Sequence, residues 1–89
     1  MLNEALYMEM EKTLRFCHIQ EEAEDILLEL AEELADLGCI GKERIVNKSY
    51  GKTKIEACGV CTKEEDEIQV MILWMIIGKK KFDIQDCFL

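Results

Sequence analysis

The sequence predicts an α+β domain in which an acidic, N-terminal helical pair packs on a small antiparallel sheet. Residues 1–37 have apolar residues at helical spacing, and later segments alternate apolar and polar residues as strands do. Gly38 and Gly41 stand between the two compositions. With 89 residues the chain has room for one domain, residues 1–89, and its 49% hydrophobic content is typical of a folded core.

The clearest predicted helix covers residues 20–37, and Gly38 stands where a left-handed residue ends a helix. Its apolar residues share one stripe: Ala23, Ile26, Leu27, Leu30, Leu34 and Leu37. Residues 2–16 also have apolar residues at helical spacing. This spacing is interrupted at residues 16–19, which predicts either a kink or a tight turn there. A helical hairpin is favoured, because one helix across both segments would be long for so small a domain.

Two strands joined by a turn are predicted at residues 43–48 and 52–58, and a further strand at residues 81–88. In the second strand, three residues on one side alternate with three on the other: Thr53, Ile55 and Ala57 with Lys54, Glu56 and Cys58. The segment 48–51 between the first two strands is rich in turn-forming residues.

Residues 62–77 allow two interpretations, a third helix or a central strand. The helix is favoured, because Thr62 with Glu65 fits a capping box and the acidic residues 64–67 would lie at the positive end of its dipole. Residues 79–81 supply lysines after Gly78, at the negative end. The alternative is a strand buried on both faces, since residues 70–77 are apolar and rich in Ile.

The formal net charge of −8 is unevenly distributed. Residues 1–37 contain eleven acidic and two basic residues, whereas residues 38–89 contain eight acidic and nine basic ones. Direct nucleic-acid binding is disfavoured, because it needs a basic face.

The longest apolar run, residues 70–77, is far shorter than the roughly 20 residues that span a bilayer, so no membrane association is predicted.

The chain contains five cysteines and no recognisable signal peptide, because no basic segment precedes an apolar one at the N-terminus. An odd number of cysteines leaves one thiol over in any complete pairing. We therefore expect reduced thiols and a cytoplasmic location.

Cys58-Gly59-Val60-Cys61 is the one motif with chemical content. It can be a zinc ligand pair, a redox pair at a helix N-terminus, or a pair of small apolar core residues. A zinc site would need two further ligands from Cys17, His18, Cys39 or Cys87. The core interpretation is favoured, since residues three apart in a strand point to opposite faces, and no stoichiometric zinc is expected.

No catalytic residue is predicted. His18 follows Cys17, but neighbours on a helix diverge by about 100°, so this adjacency does not make a Cys-His pair. His18 is predicted to be a turn or cap residue. Ser49 is the single serine and falls in a turn, and no phosphate-binding loop is present.

Met71, Trp74 and Met75 form an apolar cluster that is either core or a partner interface. Residues 70–77 are apolar on every side of a helix or of a strand. A helical pair covers one face of a small sheet, so the segment predicts a homodimer or a protein partner, unless the N-terminal helix wraps the second face.

The stretch 28–87 resembles part of the 4-vinyl-reductase-type small-molecule-binding domain. The similarity lies in a helix ending in Leu34-Ala35-Asp36-Leu37-Gly38, a β-hairpin reaching Cys58, an apolar segment, and the residues from Gly78 to Cys87. The resemblance implies binding of a small ligand, with metal binding through cysteines in some members. The family's last strand, with its second Cys, and its Gly-rich helix have no counterpart here.

The leading functional hypothesis is a non-catalytic interaction module that acts through dimerisation or protein binding. One alternative is a small-molecule or metal-binding domain that uses Cys58 and Cys61. The other is an acidic inhibitor that presents its carboxylates to a basic, nucleic-acid-binding protein.

Overall fold

The computed structural model describes residues 4–38 and 40–88, which form a helical layer on a four-stranded sheet. The helices are α1 (Glu4–Phe16) and α2 (Ala23–Leu37). The strands are β1 (Glu43–Tyr50), β2 (Thr53–Glu64), β3 (Glu67–Ile77) and β4 (Lys80–Phe88), paired antiparallel in chain order. The predicted α+β arrangement is confirmed. Within the described residues, neither helix is long and apolar enough to cross a bilayer.

A hydrogen-bonded turn ends α1 and confirms the helical hairpin. The Ile19 N–H donates to the Leu14 carbonyl at 2.9 Å, and the His18 N–H donates to the Arg15 carbonyl at 3.0 Å. This is a Schellman motif, and its left-handed position is His18, with φ of 62°. Ile19 and Leu14 are both buried, which supplies the apolar contact that accompanies such ends. His18 is therefore a turn residue, as predicted.

The N-terminus of α2 is capped from α1. Glu22, at the N-cap position, makes no side-chain capping bond. A Glu11 carboxylate oxygen accepts the Ala23 N–H at 2.8 Å instead, and its other oxygen lies 3.1 Å from the Arg15 guanidinium. A carboxylate at this position also interacts favourably with the helix dipole. At the other end Gly38 adopts the predicted left-handed conformation, with φ of 65°.

The three hairpins of the sheet each use a two-residue turn that begins with a positive φ. Gly51 (63°), Glu65 (53°) and Gly78 (64°) occupy the first turn position, directly after the last residue of a strand. Such turns match the twist of antiparallel strands. Glycine adopts this conformation without strain, so among the three turns the positive φ is energetically unfavourable only at Glu65.

The prediction of a helix at residues 62–77 is wrong, and the alternative prediction of a central strand is confirmed. Residues 67–77 form β3, which pairs with β2 on one side and β4 on the other. Thr62 lies within β2 and caps no helix, and residues 64–67 form the tip of the β2–β3 hairpin. β-branched Ile and Val side chains pack well on a pleated sheet. As a strand, this segment also forms backbone hydrogen bonds with both β2 and β4.

Both helices pack on one side of the sheet, which we call the helix face. Met10 and Leu14 of α1 join the apolar stripe of α2 in one core. The Lys80 ammonium lies 3.2 Å from a Glu9 carboxylate oxygen, between β4 and α1. The sheet contributes to this core Val46 of β1, Ile55, Ala57 and Cys61 of β2, Val70, Ile72, Met75 and Ile77 of β3, and Phe82 and Ile84 of β4.

The closest approach of helix and sheet is at Gly59. A Cβ atom added there would lie 2.6 Å from Leu34 Cδ1 of α2 and 2.8 Å from the Met71 carbonyl oxygen. Both separations are shorter than atoms tolerate, so only glycine fits. The glycine of the Cys-Gly-Val-Cys motif therefore sets how closely α2 packs on β2.

Candidate interaction surface

The side of the sheet opposite the helix face, which we call the open face, is also apolar. Because successive residues of a strand point to opposite faces, the residues between the core positions lie here. Its apolar members are Ile45, Cys58, Val60, Met71, Trp74 and Ile76. Both α1 and α2 pack on the other side, so none of the described elements covers this face.

Strand pairing arranges the centre of the open face in two adjacent rows. In one row Cys58 pairs with Ile45 of β1 and with Trp74 of β3. In the next row Val60 pairs with Met71. The apolar side chains therefore form one continuous area, centred on β2 and β3.

This area is partly exposed to solvent, in contrast to the core. Ile45 is 56% exposed and Met71 is 36% exposed, while Val60, Trp74 and Ile76 are half-buried. Fully buried side chains of similar size lie one residue away on the same strands. An apolar area of this kind on a small domain is typical of an interaction site.

Charged residues lie towards the ends and the β4 edge of the open face. The Lys54 ammonium lies 3.3 Å from a Glu56 carboxylate oxygen on β2. On β4, the Lys81 ammonium lies 5.3 Å from the centre of the Trp74 ring, and Asp83 pairs with Trp74 in the ladder. An apolar centre with a polar rim is the usual anatomy of a protein interface.

The structure places Met71 and Trp74 together on the open face and Met75 on the helix face. Met75 is fully buried in the core, so it is not part of the surface. The three residues are spaced so that a helix would put them on one side, whereas a strand does not. Simple alternation would have put Met71 and Met75 on one face, but the register shifts at Leu73 and reverses the phase of β3.

The two cysteines of the Cys-Gly-Val-Cys motif point to opposite faces. Cys61 is buried on the helix face, where its Sγ lies 3.4 Å from the Leu34 carbonyl oxygen. Cys58 lies on the open face, between Ile45 and Trp74 in the neighbouring strands. Burial, and to a lesser extent the negative charge of Glu43, raises the pKa of the Cys58 thiol. The pair is therefore not arranged as two ligands of one metal ion, and Cys58 is a poor nucleophile.

The other candidate ligands lie apart. Cys17 and His18 line a cleft of about 350 Å³ together with Tyr50, and Cys87 is exposed at the end of β4. Cys39 lies outside the described residues. Within residues 4–38 and 40–88, no three His, Cys, Asp or Glu side chains are grouped so that they could hold a metal ion.

A cluster of three polar side chains joins β1 to α2. The Tyr50 hydroxyl donates to a Glu29 carboxylate oxygen at 2.5 Å, and the Lys48 ammonium lies 3.1 Å from the same oxygen. The Tyr50 hydrogen bond, with that of Lys48, lowers the pKa of Glu29, and burial and the carboxylate raise that of Tyr50. An ionised Glu29 and a protonated Tyr50 hold the strand to the helix, which is a structural role.

Sequence reasoning missed Ile45, Cys58 and Val60 as members of the surface, and it included Ile76 only within the apolar segment 70–77. Their signal was alternation along β1, β2 and β3, which becomes visible once residues 67–77 are taken as a strand.

Comparison of the chain with family models, curated proteins and solved structures finds no match. The resemblance to the 4-vinyl-reductase-type domain stays a prediction, and no residue role is taken from it.

Proposed function

We propose that this chain is a non-catalytic interaction module whose binding surface is the open face of its sheet. The observation that carries the proposal is the continuous apolar area of Ile45, Val60, Met71 and Trp74, which no described element covers. Cys17, Cys58 and Cys87 are free thiols, and the exposure of Cys87 supports a reducing compartment such as the cytoplasm.

The composition of the open face favours a protein as the occupant. Tryptophan and methionine are enriched in interface centres, and Trp74 and Met71 lie side by side here. At about 25 cal/mol per Å² of apolar area, covering one large side chain contributes roughly 1.5–3 kcal/mol. Covering several is a large gain for a domain whose stability is on the order of 5 kcal/mol.

A second candidate function, inhibition of a basic, nucleic-acid-binding protein, rests on α2. Its outward residues include five exposed carboxylates, and α2 contains no basic residue. Those carboxylates are Glu24, Asp25, Glu32, Glu33 and Asp36. Binding through this surface would weaken steeply with salt, whereas binding through the apolar open face would not. Salt dependence therefore distinguishes the two candidates.

A photo-crosslinking amino acid at position 71, introduced in the producing cell, tests the proposed function. We expect a discrete adduct after irradiation, identified by mass spectrometry as a second copy or as another protein. The matched control carries the same amino acid at Met8, which is 57% exposed on α1, away from the open face. If position 71 gives no adduct beyond the control, the open face is not an interaction surface and the proposal fails.

A further inference from the structure

We propose that the occupant of the open face is a second copy of this chain, packed sheet against sheet about a two-fold axis that passes over Gly59. This inference rests on the proposed function, because it names the partner of the same surface. Three features of the molecule support it: the shape of the face, the order of its residues along β2 and β3, and the position of the acidic helix.

The shape of the open face favours another sheet. Four strands about 4.8 Å apart, each about eight residues long at about 3.3 Å per residue, give a face of roughly 19 by 26 Å. An α-helix is about 10 Å across and would cover half of that width. Two such faces packed together bury on the order of 1,000 Å², which reaches the lower limit of specific interfaces. The chain itself provides a sheet of the required width.

The residue order along the central strands is self-complementary about Gly59. A two-fold axis there places Cys58 against Val60 of the other copy, and Met71 against Trp74 of the other copy. The apolar residues of β2 and β3 in each row therefore meet those of the next row in the partner, while at the β1 edge Ile45 comes opposite Glu43 of the other copy. Both copies make the same contacts, as closed two-fold association requires.

The charges on β2 fit the same axis. Glu56 comes opposite Thr62 of the other copy, so it meets a neutral side chain. Lys54 comes opposite Glu64 of the other copy, which pairs opposite charges twice in the dimer. Both ends of β2 are exposed in the single chain, where Lys54 pairs with Glu56 of its own strand. In the dimer Lys54 exchanges that partner for Glu64 of the other copy, across the roughly 10 Å between packed sheets.

The acidic helix also favours this arrangement. The chain has a net charge of −8, so two copies repel each other when their acidic surfaces come close. Face-to-face packing gives the order helix, sheet, sheet, helix. The two α2 helices then lie roughly 30 Å apart, several Debye lengths at physiological salt. The open face is therefore the side on which a second copy meets least repulsion.

Sedimentation equilibrium of the full chain tests the proposal. We expect a species of twice the 10.3 kDa chain mass at 100 µM. Trp74→Glu should raise the dissociation constant about a hundredfold or more, and Met71→Glu should also weaken the dimer. The control Met8→Glu should leave it unchanged. Circular dichroism establishes that each variant is folded, and Ile45→Glu replaces any that is not.

Charge reversal tests the axis. Lys54→Glu should weaken the dimer roughly threefold to tenfold, and adding Glu64→Lys should restore most of the loss, because the pair crosses between copies. A folded wild-type chain that stays monomeric at 100 µM overturns the inference. So does a dimer that survives both Trp74→Glu and Met71→Glu, or one that is insensitive to charge reversal. A monomer that still crosslinks from position 71 to another protein overturns the dimer and leaves the proposed function standing.

Discussion

The two faces of the sheet share the same strands and are both apolar at the centre, but only the helix face is covered by other elements among residues 4–38 and 40–88. On β3, Ile72 is fully buried beneath α2, whereas Met71 beside it is 36% exposed. The helix face includes a position where only glycine fits, and the open face has an apolar centre with charged edges. An apolar strand can therefore present two different surfaces at once, one packed within the chain and one that we propose packs against a second chain.

The largest expected difference between the faces lies in the reactivity of the two motif cysteines. Cys61 is fully buried, so its alkylation should require global unfolding and should run about a thousandfold or more slower than in the denatured chain. Cys58 should be protected much less, because only neighbouring side chains of the open face cover it. Peptide-resolved mass spectrometry of iodoacetamide labelling below 1 µM protein, where the single chain is separated from any dimer, measures both rates. Equal protection of the two thiols would mean that the open face is as closed as the core.

Truncation of the two neighbours on β3 gives the next largest contrast. Ile72→Ala should lower the free energy of unfolding by about 3 kcal/mol, because it leaves a cavity under α2. Met71→Ala should cost about 1 kcal/mol or less, because its side chain contacts solvent on one side. Urea denaturation below 1 µM protein isolates the single chain from any dimer. A cost at Met71 that matches the cost at Ile72 would contradict the difference between the faces.

Gly59→Ala examines the close packing of the helix face directly. The added methyl would collide with Leu34 and with the Met71 carbonyl, so we expect a loss of about 1–3 kcal/mol. Combining it with Leu34→Ala should cost less than the sum of the two single losses, because the truncated side chain makes room. Val60→Ala, one residue away on the open face, is the matched control and should cost less. Strict additivity of Gly59→Ala and Leu34→Ala would show that the two residues do not meet.

The smallest expected effect concerns the polar contact at the edge of the helix face. The Tyr50 hydrogen bond holds the pKa of Glu29 below its ordinary 4.5, so the stability it contributes is complete above the unfolded pKa and is lost as the pH falls through the lower folded value. Tyr50→Phe should cost about 1 kcal/mol or less at neutral pH, because Glu29 is partly exposed. The difference between the two proteins should shrink below pH 4.5, as followed by urea denaturation across the pH range. A difference that is constant with pH would remove Glu29 from the explanation.

Local signals were sufficient wherever neighbouring residues decide the conformation. The stripe of α2 and the left-handed Gly38 that ends it were both predicted, because helical spacing and a C-terminal glycine act within a few residues. The first hairpin and the last strand were predicted from alternation, and the turn role of His18 from its place after the stripe lost phase. Local sequence signals were therefore enough to predict the α+β class and the existence of five of the six elements.

Features that depend on residues far apart in the chain followed from tertiary packing and could not be predicted locally. Residues 62–77 contain signals for both a helix and a strand, and the ladders offered by β2 and β4 decide for the strand. The irregularity at Leu73 places Met71 and Met75 on opposite faces of the sheet, and no local sequence pattern predicts it. The cap of α2 comes from Glu11, twelve residues away from Ala23. Which apolar side chains become core and which form the open face follows from where two helices fit on one sheet, and that is a property of packing across the whole chain.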